Sequence, residues 1–335
     1  MYRKDAIVVG EWIRNSNKAL LVTGARQTGK TWLIRDEIEK SGYTKFELNF
    51  IDQPDMVSYL NVEMSAEEFL IKLKMIMPED CKVHETVVFF DEIQKCPEIV
   101  TKIKFLVDEG SFKYVMSGSL FGVELKGIAS APVGYLTVLR MYPMDFEEFM
   151  VANNVSTTTL DMLEDKFKTV SPIEEFIHQK LLAMFFVYLI VGGMPDAVKT
   201  YIETKDIREV DRVQRDITTL YKEDFSQYEL EDRKLKLKSI YDIIPAELDK
   251  QNKKFVFTML NKELKFERYE NSFLWLKDAG VALPVYNVDA PVIPLLASKS
   301  SNVFRLFSSD IGLLTSAYPS ETKIELINKN GEVNN

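Results

Sequence analysis

Short apolar runs alternate with longer amphipathic stretches over the first 150 residues. The continuous apolar segments at residues 20–22 and 87–90 are typical of strands that are buried on both faces. The segments between such runs repeat apolar residues at helical spacing, and Ser65 and Asp145 each precede a glutamate by three residues, which is a helix-capping pattern. Strands that alternate with helices predict an α/β domain over residues 1–150, built on a doubly wound parallel sheet.

The pattern changes after residue 150. A run of helices is predicted, interrupted by GGMPDAV, and the apolar run LLAMFFVYLIVGGM from Leu181 predicts a buried helix that is too short to span a bilayer. Later, LWLKDAGVALPVYNV gives an apolar helix, a glycine stop and an extended strand, an order that suits a winged helix. The predicted parts are a helical region at 151–230, a winged-helix-like module at 231–320 and a disordered or truncated tail at 321–335.

A glycine-framed loop follows the first predicted strand, in LLVTGARQTGKTWLI. It fits the P-loop pattern G-x-x-x-x-G-K-[ST], in which glycines let backbone N–H groups curl around an anion at a helix N-terminus. Lys30 is expected to reach the β- and γ-phosphates of a nucleotide, and the Thr31 hydroxyl to ligate Mg²⁺. The residues expected to contact the nucleotide are Gly24, Ala25, Thr28, Gly29, Lys30, Thr31 and Trp32.

A second buried strand ends in two acids, in ETVVFFDEIQKCP. After a P-loop this is the Walker B arrangement, although adjacent acids at a strand end also occur as plain solvated charge. Asp91 would hold Mg²⁺ through water or the Thr31 hydroxyl, and Glu92 would orient and deprotonate an attacking water. Ser117 or Ser119, at the end of the next strand, is a candidate sensor of the γ-phosphate. The predicted catalytic residues are Glu92, Lys30 and Ser117.

Composition narrows the class of protein. A chain of 335 residues with 46% hydrophobic and 28% charged residues is expected to form two or three globular domains. The net charge of −9 argues against binding nucleic acid through overall basicity. The two cysteines have no metal-ligand spacing, and the N-terminus lacks the apolar core of a signal peptide, so a reducing cytoplasmic location without membrane association is expected.

The segments GARQTGKT, VVFFDEIQKCP, YVMSGS, YPMDFEEF and GGMPDAV, in this order, resemble the predicted AAA+ ATPases of bacteria and archaea. The resemblance extends to FRLFSSDIGLLTS and covers most of the chain. It implies ATP as the nucleotide, adds Arg26 and Gln27 as typical loop residues, and implies a winged-helix-like module after the nucleotide-binding domain. A nuclease-like fold often follows in that family, and this chain is expected to stop before it.

One position departs from the family pattern. The family usually has Gly-Arg before the fifth strand, and that arginine is a candidate for stabilising the charge of the transition state. Here the pair is Gly134-Tyr135, and Arg140 is the arginine nearest to it in sequence. The source of a stabilising positive charge is therefore open.

Three functions remain open at this point. The first is an ATP-hydrolysing switch that acts on a protein or nucleic-acid partner, with a homo-oligomer as one expected form. The second is a non-hydrolysing, nucleotide-stabilised interaction protein, and the third is a P-loop kinase of a small metabolite. DNA is a candidate partner because residues 232–279 hold 11 basic and 8 acidic residues, a net charge of +3. The alternative is a solvated helix face in a module that contacts protein.

Overall fold

The computed structural model describes residues 1–119, 134–227, 231–250, 255 and 270–328. The chain divides into two units. One spans Arg3–Tyr142 and is called the N-terminal unit. The other comprises Met1–Tyr2 and the chain from Pro143 onward, and is called the C-terminal unit.

The N-terminal unit alternates strands with helices, as predicted. Its strands are β1 (Ala19–Gly24), β2 (Thr44–Asn49), β3 (Thr86–Asp91), β4 (Lys113–Ser119) and β5 (Leu136–Arg140). Its helices are α1 (Asp5–Asn15), α2 (Lys30–Ser41), α3 (Pro54–Leu60), α4 (Ala66–Ile76) and α5 (Glu98–Glu109). The five strands are all parallel, in the order β2-β3-β4-β1-β5. The predicted doubly wound parallel sheet of a P-loop NTPase is therefore confirmed.

Strand β3 shows why the sheet is covered on both faces. Val87 and Phe89 pack into one apolar cluster with residues of α1 and α2, whereas Val88 and Phe90 pack into another with residues of α3, α4 and α5. Successive side chains of a strand point to opposite faces, so a continuous apolar run requires helices on both sides. The run at 87–90 therefore specifies a central strand.

The parallel arrangement brings the carboxyl ends of the strands to one edge of the sheet. In the strand register, Asn49 of β2 is opposite Asp91 of β3. Gly24 of β1 is opposite Ser119 of β4, and Thr23 is opposite Arg140 of β5. Ligands of open α/β sheets bind at this edge. Most of the predicted site residues lie at this edge or directly after it in the chain.

The C-terminal unit begins with helices, as predicted. They are α6 (Phe146–Ala152), α7 (Thr157–Lys168), α8 (Glu175–Val191), α9 (Pro195–Thr204), α10 (Ile207–Gln227) and α11 (Glu231–Asp249). The capping box at Asp145 is present, with Glu148 at the third helical position. The prediction that LLAMFFVYLIV forms a buried helix is wrong about its burial. Only Ile190 and Val191 of this run are buried, and Phe185 is 36% exposed. A helix that is apolar all round leaves part of its surface exposed when neighbours cover only one side.

The remaining elements are α12 (Glu270–Asp278), β6 (Ala282–Val288), β7 (Lys299–Ser308), α13 (Ile311–Thr315) and α14 (Ser320–Asn328). The predicted helix, glycine stop and strand are confirmed, and Gly280 has the positive φ of 74° that such a stop requires. β6 and β7 form an antiparallel hairpin. Residues 256–269 lie outside the described residues, so the winged-helix assignment stays a prediction.

The first residues of the predicted tail at 321–335 are helical rather than disordered. Residues 321–328 belong to α14, whose Lys323 is buried and binds Asp211 and Gln214 of α10 through its Nζ, at 2.5 and 3.1 Å. This buried ion pair fixes α14 against α10. Residues 329–335 lie outside the described residues.

The glycine pair of GGMPDAV has a packing role. A Cβ on Gly193 would lie 1.9 Å from the carbonyl oxygen of Met144, and one on Gly192 would lie 2.4 Å from Oδ1 of Asp310. The Asp310 carboxylate accepts hydrogen bonds from the N–H groups of Gly193 and Leu313, at 2.7 and 2.8 Å. Its burial raises the pKa of Asp310 to about 6. The motif therefore joins the α8–α9 turn to the start of α13.

We expect Gly193→Ala to destabilise the protein by about 3 kcal/mol, because the added methyl group overlaps a backbone oxygen that cannot move freely. Gly42→Ala is the control, since a Cβ there meets nothing within 4 Å although φ is 78°. The left-handed backbone at residue 42 is expected to cost an alanine there about 1 kcal/mol of stability. Chemical denaturation followed by circular dichroism compares the two, and equal losses would contradict the packing role.

Candidate functional site

The loop between β1 and α2 requires glycine at both ends. Gly24 has φ of 145°, and a Cβ there would lie 2.1 Å from the carbonyl oxygen of Met141. Gly29 has φ of 92° and caps α2, which begins at Lys30. Side chains at these two positions would clash or strain the backbone. The glycines of the P-loop pattern therefore set the path of the loop.

The start of α2 has no side-chain cap. Gly29 provides no capping side chain, and the first turn of the helix contains no acidic residue. The first N–H groups of a helix have no partner within the helix, and together they form the positive end of its dipole. This helix start is consequently suited to an anion such as a phosphate group.

Lys30 lies folded against the loop backbone. Its Nζ donates to the carbonyl oxygens of Gly24 and Ala25, at 3.1 and 2.7 Å, and its side chain is only 7% exposed. Burial lowers the pKa of Lys30 to about 8, partly offset by the carboxylates of Glu92 and Asp91. The ammonium group is held at the loop by two acceptors that a phosphate oxygen could replace.

Asp91 is the acceptor on which several elements converge. Its carboxylate accepts from the Thr31 hydroxyl at 3.0 and 3.1 Å, from Nδ2 of Asn49 at 3.1 Å and from the Ser117 hydroxyl. Burial raises the pKa of Asp91 despite the hydrogen bonds from Ser117 and Thr31. The structure thus brings the two predicted metal ligands, Thr31 and Asp91, into contact, and places Ser117 on Asp91.

Glu92 follows directly and has an unusual backbone. Its φ of 58° and ψ of 45° are left-handed, which is strained for a residue with a side chain. Its N–H donates to Oδ1 of Asp91 at 3.2 Å, and its half-buried carboxylate accepts a hydrogen bond from Nε2 of Gln94. Such strain recurs at functional sites, where surrounding contacts hold it.

The other predicted loop residues divide by exposure. Ala25 and Thr28 are buried, and the Thr28 hydroxyl donates to the Ala25 carbonyl oxygen at 2.9 Å. Gln27 is exposed with φ of 62°, Arg26 is half-buried, and Trp32 is 46% exposed in the first turn of α2. Their predicted contacts with a nucleotide stay predictions.

Sequence reasoning missed three residues of this region. Asn49 and Gln94 contact the two acids, and Arg3 donates to the carbonyl oxygens of Thr28 at 2.9 Å and Tyr142 at 2.6 Å. Asn49 could have been found from its place at a strand end, and Gln94 from its place in the DEIQ segment. Arg3 had no such signal, because it precedes the first helix.

Tyr135 lies far from the loop. It precedes β5 and accepts a hydrogen bond from the N–H of Ala19, at the start of β1. The loop is at the other end of these parallel strands, about 16 Å away at about 3.3 Å per residue. A charge at Tyr135 therefore cannot reach a phosphate in the same chain. Arg140 is at the loop edge of the sheet, where its guanidinium lies over the Tyr142 ring at 5.4 Å.

The residues at this edge fit a nucleotide with a magnesium ion. The uncapped helix start and the buried Lys30 suit phosphates. The Thr31 hydroxyl and the Asp91 carboxylate are adjacent oxygen ligands of the type that Mg²⁺ prefers.

The comparisons with known proteins agree with this geometry. Residues 16–150 match the family described as an AAA domain, and residues 183–324 match a domain of unknown function. A Walker-type ATPase of Pyrococcus abyssi has a similar structure, with a TM-score of 0.52 and 12% identity over 94% of this chain and 95% of that one. An uncharacterized protein of Methanocaldococcus jannaschii is 24% identical over 194 residues, which are 58% of this chain and 38% of that protein.

The N-terminal part of this chain is therefore an AAA domain with the fold of a P-loop NTPase, and a domain of unknown function follows it. The predicted resemblance is confirmed at this level. In the described residues, no helix is long and apolar enough to cross a membrane.

We expect Lys30→Ala to weaken ATP binding by about 10- to 100-fold, because a hydrogen bond to a charged group contributes about 1.5–3 kcal/mol. Lys40→Ala is the control, since Lys40 lies on the same helix but is 60% exposed and paired with Asp36. Isothermal titration calorimetry with Mg·ATP measures both. Equal affinity in the two variants would contradict the assignment of the loop.

Proposed function

We propose that this protein binds and hydrolyses Mg·ATP and acts as a nucleotide-driven switch on a partner. The observation that supports the proposal most directly is the cluster around Asp91. It joins the Thr31 hydroxyl at the helix start to the acid pair at the end of β3, beside the buried Lys30. These are the groups that phosphoryl transfer to water needs in P-loop enzymes.

Each side chain has a separate task in this proposal. Lys30 and the N–H groups of the loop bind phosphates, while Thr31 and Asp91 hold the metal ion. When bound, that ion supplies positive charge to the phosphate oxygens. Glu92 lies next to this cluster and is half-buried, and its proposed task is to take a proton from an attacking water. Ser117 acts through Asp91, with which it shares a hydrogen bond.

The two alternatives find less support. A non-hydrolysing binding protein does not need Glu92, whose strained backbone and hydrogen-bonded carboxylate indicate a specific role. A metabolite kinase needs an acceptor pocket and a positively charged lid. The sequence between β4 and β5 contains no arginine for such a lid, and residues 120–133 lie outside the described residues.

Arg3 offers a physical route from the loop to the end of the N-terminal unit. Its buried guanidinium holds both the Thr28 carbonyl oxygen and that of Tyr142, the last residue of this unit. A shift of the loop on nucleotide binding would therefore be transmitted to the chain that leads into the C-terminal unit. This connection supports a switch rather than a passive nucleotide site.

We expect Glu92→Gln to bind Mg·ATP as the parent does but to hydrolyse it about 10²- to 10⁴-fold more slowly, because the glutamine amide cannot accept the proton. Release of phosphate in a coupled assay measures turnover, and calorimetry measures binding. Turnover at the parent's rate would show that Glu92 is not the base. A parent that binds Mg·ATP without measurable turnover would instead favour the non-hydrolysing alternative.

The partner is better described as a protein than as DNA. The loop that joins β6 to β7, residues 289–298, exposes Val292, Ile293, Leu295 and Leu296 by 53–91% and contains no lysine or arginine. A wing that contacts phosphates needs cations, whereas an exposed apolar patch is typical of a protein interface. We call this loop the hairpin tip.

The alternating lysines of the segment proposed to bind DNA do not form one continuous basic face. Lys234, Lys236 and Lys238 lie on helix α11, where residues two apart point in different directions. Only Lys234 and Lys238 share a face. The other cations on which a DNA contact was predicted lie outside the described residues, namely Lys253, Lys254, Lys262, Lys265 and Arg268.

We expect duplex DNA to bind weakly, with an affinity that falls steeply between about 50 and 200 mM salt, because any such contact would be electrostatic. Reversing the charges of Lys253, Lys254 and Lys262 together is expected to remove it. A variant of the hairpin tip, Ile293→Ser with Leu296→Ser, is the control that should leave it unchanged. Fluorescence anisotropy of a labelled duplex follows both. Tight binding that resists salt would overturn the preference for a protein partner.

We also propose a homo-oligomer as one form of the protein. Tyr135 precedes β5, at the end of the sheet away from the loop, so a positive charge at this position could only serve the nucleotide of a neighbouring copy. Cys81 and Cys96 are free thiols, which is consistent with the reducing cytoplasm.

A further inference from the structure

The side chain of Gln94 reaches from the turn after β3 to the end of β4. It belongs to a short turn, Ile93–Lys95, directly after the acid pair, and it is 7% exposed. Its Nε2 donates to a carboxylate oxygen of Glu92 and lies 3.5 Å from the Ser119 hydroxyl at the end of β4. Gln94 therefore connects the proposed base to the neighbouring strand.

The backbone of β4 makes room for this amide. A Cβ on Gly118 would lie 2.7 Å from Oε1 of Gln94 and 3.1 Å from a methyl carbon of Ile93. Any larger residue at Gly118 would push the amide out of its position. The local sequence is thus consistent with one fixed place for the Gln94 side chain.

One polar atom of the Gln94 amide has no hydrogen-bond partner among the described residues. This atom, Oε1, is fully buried. Leaving a buried acceptor unpaired costs about 1–3 kcal/mol, whereas an apolar side chain of similar shape would avoid that cost. This cost offsets much of what the hydrogen bond from Nε2 to Glu92 contributes, so stability alone does not require glutamine here and a functional reason is called for.

Among the residues that the structure describes, no other hydrogen bond reaches the Glu92 carboxylate. Its backbone N–H is held by Asp91, but its left-handed backbone alone does not determine where the side chain points. A general base has to lie within hydrogen-bond reach of the proton that it takes. The amide of Gln94 supplies a second point of attachment, at the carboxylate itself.

We propose that Gln94 is a positioning residue for hydrolysis: its amide orients the Glu92 carboxylate toward the attacking water. This inference rests on the proposed function. It separates Gln94 from the residues that bind the nucleotide, because no described hydrogen bond joins it to the loop or to Lys30, Thr31 or Asp91. Its loss should therefore affect the chemical step and leave binding intact.

The test replaces Gln94 by methionine, which keeps the length of the side chain and removes both polar atoms. We expect kcat to fall about 10- to 100-fold, as expected for a misplaced catalytic group. The affinity for Mg·ATP, measured by calorimetry, should stay within about twofold. The midpoint of chemical denaturation should change little, because the lost hydrogen bond to Glu92 is offset by removal of the unpaired acceptor.

The double variant with Glu92→Gln tests the mechanism of the effect. If Gln94 acts through Glu92, Gln94→Met should add no further loss to Glu92→Gln. Gln179→Met is the matched control, since Gln179 makes an exposed hydrogen bond to Glu175 of α8, at 2.7 Å. It should keep the kcat of the parent.

Other results would overturn the assignment. Unchanged turnover in Gln94→Met, weaker ATP binding as its main effect, or a full additional loss in the double variant would each show that Gln94 does not position Glu92. A parent chain that binds ATP without hydrolysing it would overturn the proposed hydrolysis as well. Parent turnover that Glu92→Gln abolishes and Gln94→Met spares would overturn this inference alone.

Discussion

The buried carboxylate of Asp91 is the interaction on which the candidate site depends. It accepts hydrogen bonds from the Thr31 and Ser117 hydroxyls, the Asn49 amide and the N–H of Glu92. These donors come from α2, β4, β2 and the turn after β3, so one side chain ties four segments together. Without donors on every side, a carboxylate that is 2% exposed would be costly to bury. The fold brings the donors together because parallel strands end at the same edge.

The sequence predicts most of this site because its strongest signals are contiguous. Gly24, Gly29 and Lys30 fall within one loop, and Asp91 follows an apolar run that is buried on both faces. Asn49 and Gln94 were missed as partners of the acids because their roles depend on the order of strands and on the turn after β3, which spacing does not specify. The burial of α8 was wrong for a related reason: its composition shows that it is apolar but not which neighbours cover it.

In the C-terminal unit, a conspicuous sequence motif has a role that its sequence does not reveal. GGMPDAV stands out in the sequence, and the structure gives its glycines a packing function against Met144 and Asp310. Gln214 adds to this arrangement, since its Nε2 donates to the carbonyl oxygens of Ile190 and Val191, at 2.8 and 2.9 Å. These buried polar contacts join α8, α10 and α13. A distinctive motif outside the nucleotide site can therefore reflect the demands of packing rather than of chemistry.

The electrostatics of the site favour a nucleotide and a metal ion together over either alone. Burial lowers the pKa of Lys30 to about 8 and raises that of Asp91, so both groups are held in conditions that disfavour their charged forms. Phosphate would stabilise the charged lysine but would meet the acids at the end of β3. A cation would stabilise the ionised aspartate but would meet the lysine. A nucleotide that brings its own metal ion satisfies both, with negative charge toward Lys30 and positive charge toward Asp91.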